Sequence, residues 1–498
     1  MKERKAGILL HISSLPSKYG VGTLGKSAYK FVDFLVKSGM KIWQTLPLLP
    51  TGFGDSPYQA CANYALNFYF IDFDLLREQG LLEESEYVNI KWGDNERRVD
   101  YGILFDCKAQ VLRKAFSRFD RKNKEWKKFL KDGVYADFAV FMTIKSMQNY
   151  RACYEWDEEY KEYSKELFER VKKEYYNEVE FWQFTQFLFV NQWLALKNYA
   201  NKNGVMIMGD MPIYVSGDSV EIWKYKKELF LLDSYGNPAL QAGVPPDAFS
   251  EDGQLWGNPV YDWELMQKNG YKWWKDRILY AFELFDIVRI DHFRGFDRFF
   301  AIPIGETTAK NGEWMPAPGA KLFKDLKKHN IVAEDLGIID QSVVDMLNEV
   351  GYPGMRVAEF CFDGKVDNPH KPSNAPENSV AYTGTHDNKP LKGFLLELSY
   401  DEGMNFVKDL KRECKLLGVR YNNKTVEDTC ETVIKTVFAS KANTCILPMQ
   451  DVLHFGIETR MNFPSSLSGD NWTFRFKEED FTQKTAKKLK KLVKKYER

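Results

Sequence analysis

The chain has 498 residues, and its 70 Lys plus Arg balance 70 Asp plus Glu, so the formal net charge is zero. No global field favours nucleic acid or an anionic membrane surface, and neither partner is expected. Hydrophobic residues make up 44 % and charged residues 28 %, as in ordinary soluble proteins; Lys2, Arg4 and Lys5 precede only Ile8 to Leu10, too short for a signal-peptide core, and no run reaches the length of a membrane span.

GILLHISSLP (7–16) reads as a strand over 7–11 that runs into a loop. A helical period through Ala28, Phe31, Phe34 and Leu35 ends near Gly39, and a second strand follows over 41–46. This strand–helix–strand order implies a right-handed crossover and a parallel sheet. Residues 51–68 form a Gly-, Pro- and Asp-rich loop with Tyr58 in DSPYQ. From about 70 to 200 charged helical stretches dominate, 155–180 among them, and 51–200 is expected to be an inserted, mainly helical subdomain. VMIMGD gives a strand over 205–210. Residues 211–262 are expected to be a loop region over the active site. Within GVPPDAFSEDGQLWGNPVYDW (243–263), Phe249, Gln254 and Trp256 would form a lid or stacking wall.

A helix over 264–284 precedes a strand at 286–291. Helix 320–329, strand 331–334, helix 340–350, strand 355–361 and strand 379–384 follow. Helices cross 388–440, the last strand is 444–449, and IETRMNFPSSLSGDNW (457–472) offers Asn462 and Trp472. In the basic stretch 482–498, Ala486, Leu489, Leu492, Val493 and Tyr496 make one helical stripe, read as a closing barrel helix with surface lysines. Eight parallel strands alternating with helices is the count of an α/β TIM (β/α)8 barrel, so 1–498 is expected to be one catalytic barrel domain carrying insertions.

Four of the strand runs stop at an acid: Asp210, Asp291, Glu334 and Asp387. Such a barrel keeps its chemistry at the C-terminal ends of its strands. In VRID, residues two apart share a face, so the Arg289 guanidinium would flank Asp291 and favour the ionised form that a nucleophile needs. Glu334 follows three apolar residues, where burial would keep it protonated as a general acid. Its neighbour Asp335 would face away and cap the next turn. His386 and Asp387 in TGTHDN could bind adjacent hydroxyls, and Asp387 could stabilise an oxocarbenium-like sugar. Asp210 could orient a hydroxyl or the nucleophile.

The seven cysteines are odd in number and scattered, with no CxxC pair, so neither a disulfide framework nor a zinc site is expected. A reducing, cytoplasmic location fits them. With 13 Trp, 26 Tyr and 36 Phe, most rings are expected in the barrel core and helix packing, and the remainder could stack on sugars, two roles that composition does not separate. Converging carboxylates without a metal-ligand cluster point to acid/base and nucleophilic work on a neutral polar substrate, a sugar first.

Together, HISSLPS, DSPYQ, VDYG (99–102), GDMPIYV, GVPPDAFSEDGQLWGNPVYDW, RIDHFRGF, AEDLG, GTHDN and MQDVLHFGIETRMN resemble the 4-α-glucanotransferases (amylomaltases, or disproportionating enzymes) of glycoside hydrolase family 77 over nearly the whole chain. The resemblance implies Asp291 as nucleophile, Glu334 as acid/base and Asp387 as transition-state stabiliser. It implies Tyr58, Asp210, Arg289 and His386 around the cleaved sugar, with Gln254, Trp256 and Asn462 along the glucan path. Tyr101 would belong to a more remote glucan-contacting surface. The implied substrates are maltooligosaccharides and starch- or glycogen-type α-glucans, with no metal and no organic cofactor. The chain departs from the family pattern at Ala248, at Asn67-Phe68 and at Pro464-Ser465-Ser466, all in loops. An α-amylase-like hydrolase with the same acids is the alternative reading.

Overall fold

Side chains alternate across a strand with a period of two, and here that alternation builds both the barrel interior and the site above it. The computed structural model of the chain describes residues 4–52, 54–246, 251–337, 339–464 and 466–498; Lys2, Ala248, Phe249 and Ser465 lie outside the described residues. Among the described residues the strands are β1 (Lys5–Leu9), β2 (Ile42–Gln44), β3 (Met206–Met211), β4 (Leu240–Val244), β5 (Gln254–Pro259), β6 (Ile287–Ile290), β7 (Arg298–Pro303), β8 (Glu313–Pro316), β9 (Ile331–Ala333), β10 (Gly354–Val357), β11 (Ser379–Tyr382) and β12 (Thr444–Pro448).

Eight of these form one parallel sheet in the order β10-β11-β12-β1-β2-β3-β6-β9. β9 and β10 lie side by side, and the Ala333 N–H donates to the Pro353 carbonyl at 2.9 Å. The sheet therefore closes into the expected barrel. Leu9, Ile42, Met208, Val332, Met355, Val357, Val380, Tyr382 and Ile446 pack together inside it. Truncating one of them, such as Met355→Ala, costs about 2–5 kcal/mol by lost burial and the cavity left behind. One pleat further toward the C-terminal ends the inward positions turn polar. Tyr382 donates to Gln44 at 2.9 Å, and Asp210 and Arg289 fill the same level.

The seam between β9 and β10 depends on Asp335. It does not cap the next turn. Its carboxylate accepts from the Met355 N–H at 2.6 Å and from Arg356 at 2.8 Å, in place of ladder bonds that the short β9 cannot supply. Gly354 makes room: a Cβ there would stand 2.4 Å from an Asp335 carboxylate oxygen.

Several elements differ from the sequence expectation. β10 stops at Val357, and Ala358–Cys361 is a tight 3₁₀ turn, in which the Glu359 N–H bonds the Thr383 carbonyl just beyond β11 at 3.1 Å. Helix 264–284 is two helices, Trp263–Lys268 and Lys272–Leu284, broken where Gly270 and Tyr271 adopt positive φ. Residues expected as helix 320–329 form two short 3₁₀ turns, Gly319–Lys321 and Lys324–Leu326. The 211–262 region is not all loop: it holds a helix, Val220–Leu229, and strands β4 and β5. These two strands join β7 and β8 in an antiparallel sheet ordered β5-β4-β7-β8. Its pairing reaches across β6, which no local pattern reveals.

Between β2 and β3 the described chain is mainly helical. Asp72, Asp100, Asn123 and Ser164 each cap a helix start by accepting backbone N–H bonds. The charged stretch 155–180 is interrupted, with helices Glu158–Lys161 and Lys165–Glu174 preceding Tyr176–Lys202. That last helix packs on β3 and on helix Lys26–Ser38. Helix Gln483–Lys495 buries Ala486, Leu489 and Val493 and packs on the same Lys26–Ser38 helix. Among the described residues no helix is long and apolar enough to cross a membrane.

Candidate active site

β3 carries Met206, Met208 and Asp210 on one face, and β6 extends the same alternation through Ile287, Arg289 and Asp291. The Asp210 side chain is fully buried. Both of its oxygens accept from one Arg289 nitrogen, at 2.7 and 2.8 Å, and that nitrogen also donates to Asp291 at 3.0 Å. Arg289 is buried, whereas the Asp291 side chain keeps 28 % exposure and can be reached by a ligand. Burial alone would lower the Arg289 pKa. The Asp210 and Asp291 carboxylates outweigh that and hold it well above the ordinary value.

Glu334 directly follows β9, and its N–H bonds to the Ile290 carbonyl at 3.0 Å. Its carboxyl oxygens accept the His292 and Leu336 N–H groups, each at 2.7 Å. His292 has φ +47°, a left-handed conformation that costs a bulky residue about 1–3 kcal/mol. That turn aims its N–H at Glu334. Burial first, then the charge of Asp291, push the Glu334 carboxyl up to about 8, against the pull of Arg289 and the two N–H bonds. It therefore holds a proton at neutrality.

Asp387 lies in the loop beyond β11 with 46 % of its side chain exposed. Asn462 donates to one oxygen at 2.6 Å, and His386 Nε2 lies 3.3 Å from the other. The His386 ring stacks on Tyr58 with centroids 5.0 Å apart, and Trp472 leans on both rings. Tyr58 donates to Asp210 at 2.9 Å and lies 3.5 Å from His386 Nδ1. Asn462, Asp387, His386, Tyr58, Asp210, Arg289 and Asp291 thus form one connected chain around the rim. Glu334 joins it beside Asp291.

On β5, Trp256 donates to Gln254 at 3.1 Å and sets its ring against the His292 ring, 4.9 Å between centroids. Gln59 holds the Trp256 carbonyl at 3.2 Å. Tyr101 is half-buried, and its hydroxyl donates to the Trp472 carbonyl at 3.0 Å. Through Trp472 it is linked to the Tyr58–His386 stack.

Sequence reasoning gave no role to His11, Glu359, Asn388, Asp451 or Arg460. His11 is buried with Nδ1 3.1 Å from the Thr45 hydroxyl. Burial first and His386 second lower its pKa to about 3, so it is neutral. Arg460 donates to the Asp387 carbonyl at 2.5 Å and to the Asn462 carbonyl at 2.7 Å. Glu359 follows an apolar run much as Glu334 does. That signal was hidden because the strand was expected to continue to 361. Among the described residues no three His, Cys, Asp or Glu side chains gather as a metal site.

A closed parallel barrel with a protonated buried acid beside an accessible carboxylate, at the C-terminal rim, is an arrangement suited to breaking and making glycosidic bonds. The sequence profile of the 4-alpha-glucanotransferases, glycoside hydrolase family 77, matches residues 10–482, and the chain belongs to that family. A 4-alpha-glucanotransferase of Clostridium butyricum is 43 % identical over 498 residues, covering 98 % of this chain and 100 % of the relative. One from Streptococcus pneumoniae serotype 4 is 43 % identical over 495 residues, 97 % of this chain and 95 % of its own. The solved amylomaltase of Streptococcus agalactiae in complex with acarbose superposes with a TM-score of 0.93 at 39 % identity, covering 100 % of both chains.

Proposed function

We propose that Asp291, Glu334 and Asp387 perform the family reaction in this chain: transfer of an α-1,4-glucan segment to the 4-hydroxyl of an acceptor glucan or glucose. Glu334 protonates the bridging oxygen while Asp291 attacks the anomeric carbon, and the displaced glucan leaves. The product is a covalent glucosyl–Asp291 ester of inverted configuration. Esterification removes the negative charge of Asp291, one of the causes that raise Glu334. The Glu334 pKa falls, and the same group becomes the base that deprotonates the acceptor hydroxyl. A second inversion restores the α bond. The exposed Asp387 carboxylate, oriented by Asn462, faces the charge that develops on the sugar.

Tyr58, Asp210, Arg289 and His386 surround the cleaved unit, and Gln254, Trp256, Tyr101 and Asn462 contact the glucan. The described strands β4 and β5, with Trp256 over His292, form a wall that favours a sugar acceptor over water. Residues 51–200 act as a helical insertion of a single catalytic barrel domain. A cytoplasmic location is in keeping with seven free cysteines. Maltooligosaccharides and starch- or glycogen-type glucans are the substrates.

The observation that carries the reading is the pairing of a carboxyl raised to about 8 with a neighbouring carboxylate held by a buried arginine. Incubation with maltotriose tests it. Longer and shorter glucans plus glucose are expected; only shorter products would mean hydrolysis. Asp291→Asn should lower kcat by at least about 10³-fold, the scale of losing a covalent nucleophile. Normal turnover would remove the nucleophile assignment.

A further inference from the structure

The loop that carries His386 and Asp387 is anchored by carboxylates that the reaction does not use. Asp451, just beyond β12, accepts from the Thr383 hydroxyl at 2.5 Å and from the Leu391 N–H at 2.7 Å. Those bonds fix the two ends of the loop. Its middle is held differently. Asn388 accepts with one side-chain oxygen from both the Thr385 N–H and the Thr385 hydroxyl, each at 2.9 Å. The Asp387 N–H in turn bonds the Thr385 hydroxyl at 3.3 Å. With its oxygen committed to Thr385, the Asn388 side chain lies beside the Glu359 carboxyl and favours its charged form.

Glu359 lies in the 3₁₀ turn just after β10, its own N–H on the Thr383 carbonyl at 3.1 Å. A Cβ added at Gly384 would sit 3.6 Å from a Glu359 oxygen and 3.2 Å from Asn388. The carboxyl and the amide therefore both lie against Gly384, on the same side of the loop. Arg460, which grips the Asp387 carbonyl, also feels the Glu359 charge.

We infer that Glu359 is a positioning residue for Asp387, acting through Asn388 and Thr385 to hold the loop in the orientation in which the Asp387 carboxylate faces the reacting sugar. The inference rests on the reading of Asp387 as transition-state stabiliser. Burial raises the Glu359 carboxyl to about 7, with Asp451 adding and Asn388, Arg460 and Lys389 opposing. Either protonation state offers an oxygen to the Asn388 amide, and so would glutamine.

The experiment is a double-mutant cycle in the full chain, read as kcat and KM for maltotriose disproportionation. Glu359→Ala should lower kcat about 10- to 100-fold, the scale of a small misplacement of a reacting group, with KM within about twofold. Glu359→Gln should stay within about threefold of wild type in kcat. In an Asp387→Ala background, Glu359→Ala should have no further effect. An equal loss in both backgrounds, a loss confined to KM, or a Gln variant as impaired as Ala would overturn the inference. Asn388→Ala breaks the same link from the other side and replaces Glu359→Ala should that protein fail to fold; a normal kcat in it would overturn the inference as well. If Asp387→Ala alone left kcat unchanged, the reading of Asp387 itself would fall, an outcome distinct from any result at Glu359.

Discussion

At the scale of single residues, the site separates its acids by environment. Glu334 is enclosed and shares its surroundings with the Asp291 charge, so its carboxyl is raised to about 8. A raised acid is protonated below that value and loses its proton above it. Activity that needs the protonated form is therefore retained at neutral pH. It should fall about tenfold per pH unit once pH exceeds 8, read as kcat for the glycosylation step. The same shift bears on stability. The folded state favours protonated Glu334, so its contribution is complete below the unfolded value near 4.5 and is lost as pH rises through 8. The melting temperature of Glu334→Gln relative to wild type should accordingly climb between pH 5 and pH 9, whatever fixed cost the substitution brings. Asp210, Arg289, Asp291 and Glu334 were legible in the sequence because strand alternation and burial act locally. The bond from Asn462 to Asp387 spans 75 positions, so no local spacing could reveal it; the sequence offered Asn462 as a loop residue and, through the family resemblance, as a glucan contact, but not as a partner of Asp387. Glu359 was missed for a smaller reason, the overextension of one strand by four residues.

At the scale of elements, apolar runs bounded by turn residues made all eight barrel strands readable. The β5-β4-β7-β8 sheet was not, since β4 finds its partner β7 only after the chain has passed through β6. The barrel seam shows the same limit. Asp335 reads as a turn-capping acid, yet it completes the β9–β10 edge because β9 has only three residues. Asp335→Ala should unfold the chain more readily by about 2–4 kcal/mol, since it leaves the buried Met355 N–H unpaired and Arg356 without its carboxylate. Denaturant unfolding measures this. A change below about 0.5 kcal/mol would mean that the seam is held elsewhere, within the range of neutral surface substitutions.

At the scale of the whole molecule, the barrel closes on segments far apart in sequence. β1 pairs with β12 over five residue positions. Below them, Arg498 donates to the Phe438, Ala442 and Ser440 carbonyls, each at 2.8 Å, and Arg4 reaches the Ser440 and Tyr496 carbonyls. Arg498→Ala should lower stability by about 1–3 kcal/mol while leaving kcat unchanged, because it strips donors from buried carbonyls at the face opposite the reaction. Thermal melting and maltotriose turnover together check both halves of that expectation. The antiparallel sheet has a different reach. Its two hairpins come from either side of β6, the strand that leads to Asp291, one encoded before it and one after. Insertions or deletions at the far turns of either hairpin would therefore leave the register of the eight-stranded frame unchanged.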